Sequence, residues 1–128
     1  MTLLLDTHTF LWFWWDDPRL SNVARGVIRD PSNRKLISTA SCWEIAIKVK
    51  IGKLDAAEVL KDFEAKATRA KLTMLGTTVP QVIRSGSLPL HHRDPFDRLL
   101  IAQAFELRIP ILSSDRIMDL YGVQRIWD

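Results

Sequence analysis

Apolar residues open the chain at Leu3–Leu5, break at Asp6, and resume at once through "THTFLWFWW" before "DDP" at 16–18. Three apolar residues followed by a longer apolar run read as a short buried strand feeding a helix over Thr7–Trp15. Ser21 then caps a second helix with an apolar stripe of Val23, Ala24, Val27 and Ile28, closed by the "DPSN" turn at 30–33. "KLIST" (35–39) is the next strand. "SCWEIAIKVKIG" (41–52) reads as a helix ending at Gly52. "AAEVLKDFEAKATRAK" (56–71) is an amphipathic helix with Val59, Leu60, Phe63, Ala67 and Ala70 inward. "LTMLGT" (72–77) is a third strand, followed by a short helix over Val79–Ser85 and a Gly/Pro/His loop to Arg93. A long helix runs from Asp94 to about Leu107. The strand "IPILSS" (109–114), a helical turn near Arg116–Tyr121 and a closing strand "VQRIW" (123–127) complete the pattern.

Strands separated by helical crossovers imply an α/β domain with a parallel sheet covered on both faces. In such sheets ligands sit beyond the carboxyl ends of the strands, so residues directly after strands are the ones to weigh as functional.

At 128 residues the chain is expected to be a single domain, 1–128, with room for one core and not two. With 47% hydrophobic and 26% charged residues it has a globular rather than a disordered composition. The longest apolar run, Thr9–Trp15, is far short of the ~20 residues that span a membrane and has no signal-peptide flanks, so a cytoplasmic location is expected. Cys42 is the only cysteine, which excludes an internal disulfide and a Cys-based metal set. A net charge of +3 and a pI near 9.3 permit an anionic partner such as RNA without requiring one.

Four carboxylates stand out. Asp6 immediately follows the first strand and Asp115 immediately follows "ILSS"; if the two strands are parallel neighbours, both arrive at one sheet edge. Each also suits a helix N-cap, and both readings stand. Asp97 lies in "RDPFDRLLIAQAFE", where Asp94 fits the cap and Pro95 the first helical position. The polar stripe of that helix is Arg98, Gln103 and Glu106, which leaves Asp97 on the apolar side, where a carboxylate needs a partner. Glu44 fits a capping box with Ser41 and an ion pair with Lys48, a structural role. Its place just after "KLIST" nevertheless puts it at the same edge as Asp6.

Carboxylates converging on one small site repel, and a hard divalent cation such as Mg²⁺ or Mn²⁺ resolves the repulsion. The chemistry that follows is metal-assisted phosphodiester hydrolysis. His8, His91 and His92 lack the H-E-x-x-H spacing of a zinc site and read as loop or surface residues. The five glycines are isolated, so no glycine-rich phosphate loop is present. A receiver-like Mg²⁺-binding module is the alternative from another class, although the chain shows one Asp in "LLLDTH" and no Lys after the last strand.

The stretches "LLLDTHTFLW", "STASCWEIAIKVKIGKL", "HRDPFDRLLIAQA", "ILSSD" and "YGVQRIW" together span nearly the whole chain. Their order and spacing resemble the PIN-domain ribonucleases, most of all the VapC toxins of bacterial toxin–antitoxin pairs. The resemblance implies a three-layer α/β/α domain with sheet order 3-2-1-4-5. It places the family's acidic residues on Asp6, Glu44, Asp97 and Asp115. Asp6, Asp97 and Asp115 are then expected to hold Mg²⁺ or Mn²⁺, with Glu44 orienting the attacking water or a second metal, and the substrate is RNA. "ILSSD" departs from the usual "T-N-D" in having Ser113 and Ser114. Lys48, Arg93 and Arg98 are placed to steer the RNA backbone. A homodimer and an inhibitory antitoxin are also implied. One helix face does not bury all of "FLWFWW", so Trp12, Trp14 and Trp15 are candidates for the antitoxin surface. A degenerate, non-catalytic PIN module is disfavoured because all four acidic positions are present.

Overall fold

The computed structural model describes all 128 residues. Five strands, β1 (Thr2–Leu5), β2 (Arg34–Ser38), β3 (Thr73–Leu75), β4 (Ile111–Leu112) and β5 (Arg125–Ile126), form one parallel sheet in the order β3-β2-β1-β4-β5. The order is the 3-2-1-4-5 that the resemblance implies. It differs from the 2-1-3-4-5 order of receiver-like domains, which removes that alternative.

Alternation along the strands divides the core into two layers. Leu3, Leu5, Ile37 and Leu112 face a cluster with Phe10 and Leu11 of α1 (Thr7–Trp14), Ala24 and Ile28 of α2 (Asn22–Arg29), and Ile45 of α3 (Thr39–Lys50). Val59 of α4 (Ala57–Leu60) with Phe63 and Ala67 of α5 (Phe63–Arg69) completes that cluster. Leu4, Leu36 and Ile111 face the opposite way, onto Leu99, Leu100, Ile101 and Ala104 of α7 (Pro95–Leu107) and Met118 of a 3-10 helix (Arg116–Tyr121). The nine-residue α6 (Val79–Ser87) packs on α7. No helix is long and apolar enough to cross a membrane.

Several local expectations are corrected. Strand β2 runs into α3 with no loop, so the cap is Ser38, whose hydroxyl accepts from the Ala40 N–H at 3.0 Å; Ser41 and Glu44 do not form a capping box. The helix expected over 56–71 is interrupted at Asp62, which adopts a left-handed φ of 54°. Lys66 Nζ reaches back to the carbonyls of Glu58, at 2.8 Å, and Lys61, two acceptors exposed at the break. Val23 is exposed, leaving Ala24 and Ile28 as the buried positions of α2. Gln103, assigned to the polar stripe of α7, is fully buried; its Nε2 donates to Gly76 O (3.3 Å) and Gln81 Oε1 (3.1 Å), tying α7 to the start of α6.

Leu5 pairs with Ile37 on one side and with Leu112 on the other. The next residues in each strand direction, Asp6, Ser38 and Ser113, therefore meet at a common carboxyl edge.

Candidate metal centre

Asp6 is 4% exposed and uses its two oxygens separately. Oδ1 caps α1 by accepting from the Thr9 N–H at 2.8 Å, and Oδ2 accepts from the Ser113 hydroxyl at 2.5 Å. Burial raises the Asp6 carboxyl above its ordinary value, against the lowering effect of these two donors. Ser113 in turn accepts from the Asp115 N–H at 3.0 Å, so one buried hydroxyl joins the two carboxylate-bearing segments.

Asp115 repeats the division of labour. Oδ1 caps the 3-10 helix through the Ile117 N–H at 3.0 Å, while Oδ2 lies 2.6 Å from His92 Nε2. The same nitrogen is 3.0 Å from Asp97 Oδ2, which makes His92, Asp97 and Asp115 a group whose ligand-capable atoms lie within 4.8 Å of one another. The cap reading and the site reading of Asp115 are thus compatible, because they draw on different oxygens.

Asp97 sits in the first turn of α7, whose cap is Asp94, with Oδ1 accepting from the Phe96 N–H at 2.9 Å, and whose first residue is Pro95. Burial, joined by the charges of Asp94, Glu44, Asp6 and Asp115, pushes the Asp97 carboxyl up to about 8. Loss of water is the larger cause and the four neighbouring carboxylates add to it.

Glu44 is buried at 1% exposure, one turn into α3. Thr7 Oγ1 donates to its Oε1 at 2.6 Å and lies 2.9 Å from Ser41 Oγ; Lys48 pairs with Oε2 and reaches Asp94 Oδ2 at 3.2 Å. Partial burial opposes the charge on Lys48, yet Glu44 and Asp94 together raise it above the ordinary lysine value. Lys48 is thereby committed inside the protein. Arg98 is similarly engaged, donating to the His92 carbonyl at 2.8 Å, while Arg93 is exposed and has no side-chain partner.

A cavity of about 370 Å³ is lined by Asp6, His8, Trp12, His92, Asp94, Asp97, Ser114 and Asp115. Its donor set is dominated by carboxylate oxygens, and the neighbouring carboxylates outnumber the one internal lysine. These residues fit a hard divalent cation, which takes oxygen ligands and offsets their repulsion. Asp97 and Asp115 direct an oxygen each into the shared position, and Asp6 stands beside them with its oxygens on Thr9 and Ser113.

His92 is the residue that sequence reasoning missed. Read as a loop or surface histidine, it is only 13% exposed at the side chain and lies between two of the candidate carboxylates. The signal was its place in "HHRDPFD", just ahead of a helix whose first turn carries one of them. His8 and His91 are exposed, as expected.

Trp12, Trp14 and Trp15 are each half-buried against the core. Trp12 meets Trp127 edge-on at 5.9 Å, Arg69 lies over Trp14, and Trp15 Nε1 donates to Glu58 Oε1 at 3.1 Å. The most exposed tryptophan is instead Trp43, at 56%, beside an apolar groove of about 610 Å³ that Cys42, Phe63 and Met74 also line.

Fold and site together define a parallel α/β domain with metal-capable carboxylates over the carboxyl ends of its central strands. The chain belongs to the PIN-domain family, whose model matches residues 3–123. Its fold is similar to a chain of VapBC2 from Rickettsia felis bound to a DNA fragment from its promoter, at a TM-score of 0.70 and 14% identity over 100% of both chains. It is also similar to VapBC-1 from nontypeable Haemophilus influenzae, at a TM-score of 0.68 and 16% identity over 98% of this chain and 97% of that one. FitAcB from Neisseria gonorrhoeae follows at 0.61 and 12% identity, over 97% and 96%. None of the curated protein sequences matches the chain.

Proposed function

We propose that this chain is a Mg²⁺- or Mn²⁺-dependent endoribonuclease of VapC type, the toxin of a toxin–antitoxin pair. The observation that carries the reading is the meeting of Asp97 and Asp115 in one cavity beside Asp6, with Asp97 driven up to about 8 by burial and, after it, by its acidic neighbours. Membership of the PIN family and the likeness to chains of VapBC complexes support it.

Asp97 and Asp115, with Asp6 beside them, would hold the cation in this reading. A divalent cation bound there supplies a water of lowered pKa and neutralises charge on a scissile phosphodiester. Ser113 holds Asp6 and the Asp115 segment in register. Glu44, fixed by Thr7 and Lys48, orients the attacking water from the α3 side. Trp12 forms an apolar wall of the cavity. Arg93 is the cation best placed to meet the RNA backbone, because Lys48 and Arg98 are held by internal contacts. Water gives up a proton as its oxygen bonds to phosphorus, the P–O bond to the ribose oxygen breaks, and that oxygen takes up a proton, so that one water is added across the bond.

The proposed partners are a VapB-type antitoxin and a second copy of the chain, in the cytoplasm. Trp12, Trp14 and Trp15 remain the candidate antitoxin surface, extended by Trp43 and its groove. The test is RNA cleavage by antitoxin-free protein with Mg²⁺, compared with Asp6→Asn. Loss of cleavage in the variant is expected, and unchanged cleavage rejects the assignment.

A further inference from the structure

The backbone N–H of Asp94 donates to His92 Nδ1 at 3.2 Å. Nδ1 therefore presents a lone pair, and the single proton of a neutral imidazole resides on Nε2. That nitrogen is the one standing 2.6 Å from Asp115 Oδ2 and 3.0 Å from Asp97 Oδ2. A nitrogen that carries a proton has no lone pair to offer a metal. The contact to Asp115 is also within the range of a charge-assisted hydrogen bond.

The rest of the loop fixes this arrangement. The His92 N–H donates to Tyr121 Oη at 2.8 Å, and the Tyr121 hydroxyl donates onward to Pro89 O at 2.5 Å. Arg98 Nη1 holds the His92 carbonyl at 2.8 Å. The backbone is tied to the 3-10 helix and to α7, whereas the imidazole is held only by the Asp94 N–H and the two carboxylates. Release of the two carboxylates therefore requires a turn of the imidazole alone, with the backbone contacts of the loop kept.

We propose that the His92 Nε2–H occupies the position a divalent cation takes between Asp97 and Asp115, so that imidazole and cation compete for the same two oxygens. The inference rests on the metal-binding part of the reading above and adds to it a residue that sets cation affinity. His92 is in this sense a positioning residue: it keeps the two carboxylates together in the metal-free protein and yields them to the ion. Metal affinity is lower than the carboxylates alone would give, because the incoming cation must first break the hydrogen bonds to the imidazole.

The test is isothermal titration of Mg²⁺ into metal-stripped protein, with Mn²⁺ followed by electron paramagnetic resonance as a second probe. His92→Ala is expected to bind Mg²⁺ about tenfold more tightly, the scale of one hydrogen bond to a charged group. Tyr121→Phe keeps the imidazole but frees its loop, and is expected to shift affinity the same way by less. ¹⁵N resonances of the wild-type imidazole provide a readout independent of any variant's folding. Nε2 is expected to be protonated before metal is added and to stay protonated, with a changed shift, at saturation. Weaker or unchanged Mg²⁺ binding by folded His92→Ala, or an Nε2 that loses its proton on metal addition, overturns the proposal. Absence of binding in both wild type and variant overturns it together with the metal-dependent reading, whereas intact but equal binding rejects the competition alone.

Discussion

The Ser113 hydroxyl donates to Asp6 Oδ2 across 2.5 Å while accepting from the Asp115 N–H, which links the ends of β1 and β4 through one buried oxygen. Two neighbouring strands thereby present their carboxylates in a fixed relation before any ion is bound.

Replacing Ser113 by Ala removes the donor and leaves Asp6 buried with only the Thr9 N–H. An unpaired buried acceptor costs about 1–3 kcal/mol. Thermal or urea denaturation of Ser113→Ala in the absence of metal is expected to show a loss in that range. A change within error means that water replaces the hydroxyl at no cost.

The raised Asp97 carboxyl gives stability a definite pH dependence. Its ordinary value is 3.8 and its folded value about 8, so between these limits the native state holds a proton that the unfolded chain has released. Stability of the metal-free protein therefore falls as pH rises through that window, and Asp6, raised in the same direction, adds to the fall. Chemical denaturation at pH 5 and pH 8 in a chelator is expected to show the decline, and Asp97→Asn to flatten it. Saturating Mg²⁺ favours the ionised carboxyl and is expected to reduce the slope. A slope equal in wild type and Asp97→Asn contradicts the assignment of the shift to this group.

Lys48 is the cation that pairs directly with buried Glu44, and it also reaches Asp94. Lys48→Met keeps much of the aliphatic stem and removes the charge, leaving Glu44 without its counter-ion. Breaking a fully buried pair costs several kcal/mol; because Lys48 is 27% exposed, a loss of about 2 kcal/mol is expected by urea denaturation. A double variant with Glu44→Gln is expected to recover part of that loss. If it does not, the two side chains are not energetically coupled.

Much of this arrangement was legible in the sequence because it follows from where strands end. Asp6 and Asp115 were found by their positions after apolar runs, and Asp97 by its place opposite the polar stripe of α7. Glu44 came from its position after β2, even though the capping box that seemed to explain it is absent: β2 joins α3 directly and Ser38 takes the cap. The break at Asp62 escaped notice because a left-handed residue leaves the apolar spacing of Val59, Phe63 and Ala67 unchanged. Gln103 was misplaced because helical periodicity does not foresee α6 packing on the face it predicts to be polar. His92 lies in a loop, where periodicity carries no information, and only the tertiary approach of the loop to β4 brings it between Asp97 and Asp115.

The central claim is a metal-dependent RNA hydrolase whose cation is held by Asp97 and Asp115. The most direct measurement is cleavage of a single-stranded RNA by antitoxin-free protein, with Mg²⁺ and with chelator, for wild type and for Asp97→Asn of verified fold. Cleavage by the wild type that needs Mg²⁺ and falls by at least about a hundredfold in Asp97→Asn is the expected result, since metal-assisted steps are worth several kcal/mol. Cleavage that persists in chelator, or that Asp97→Asn leaves intact, contradicts the account.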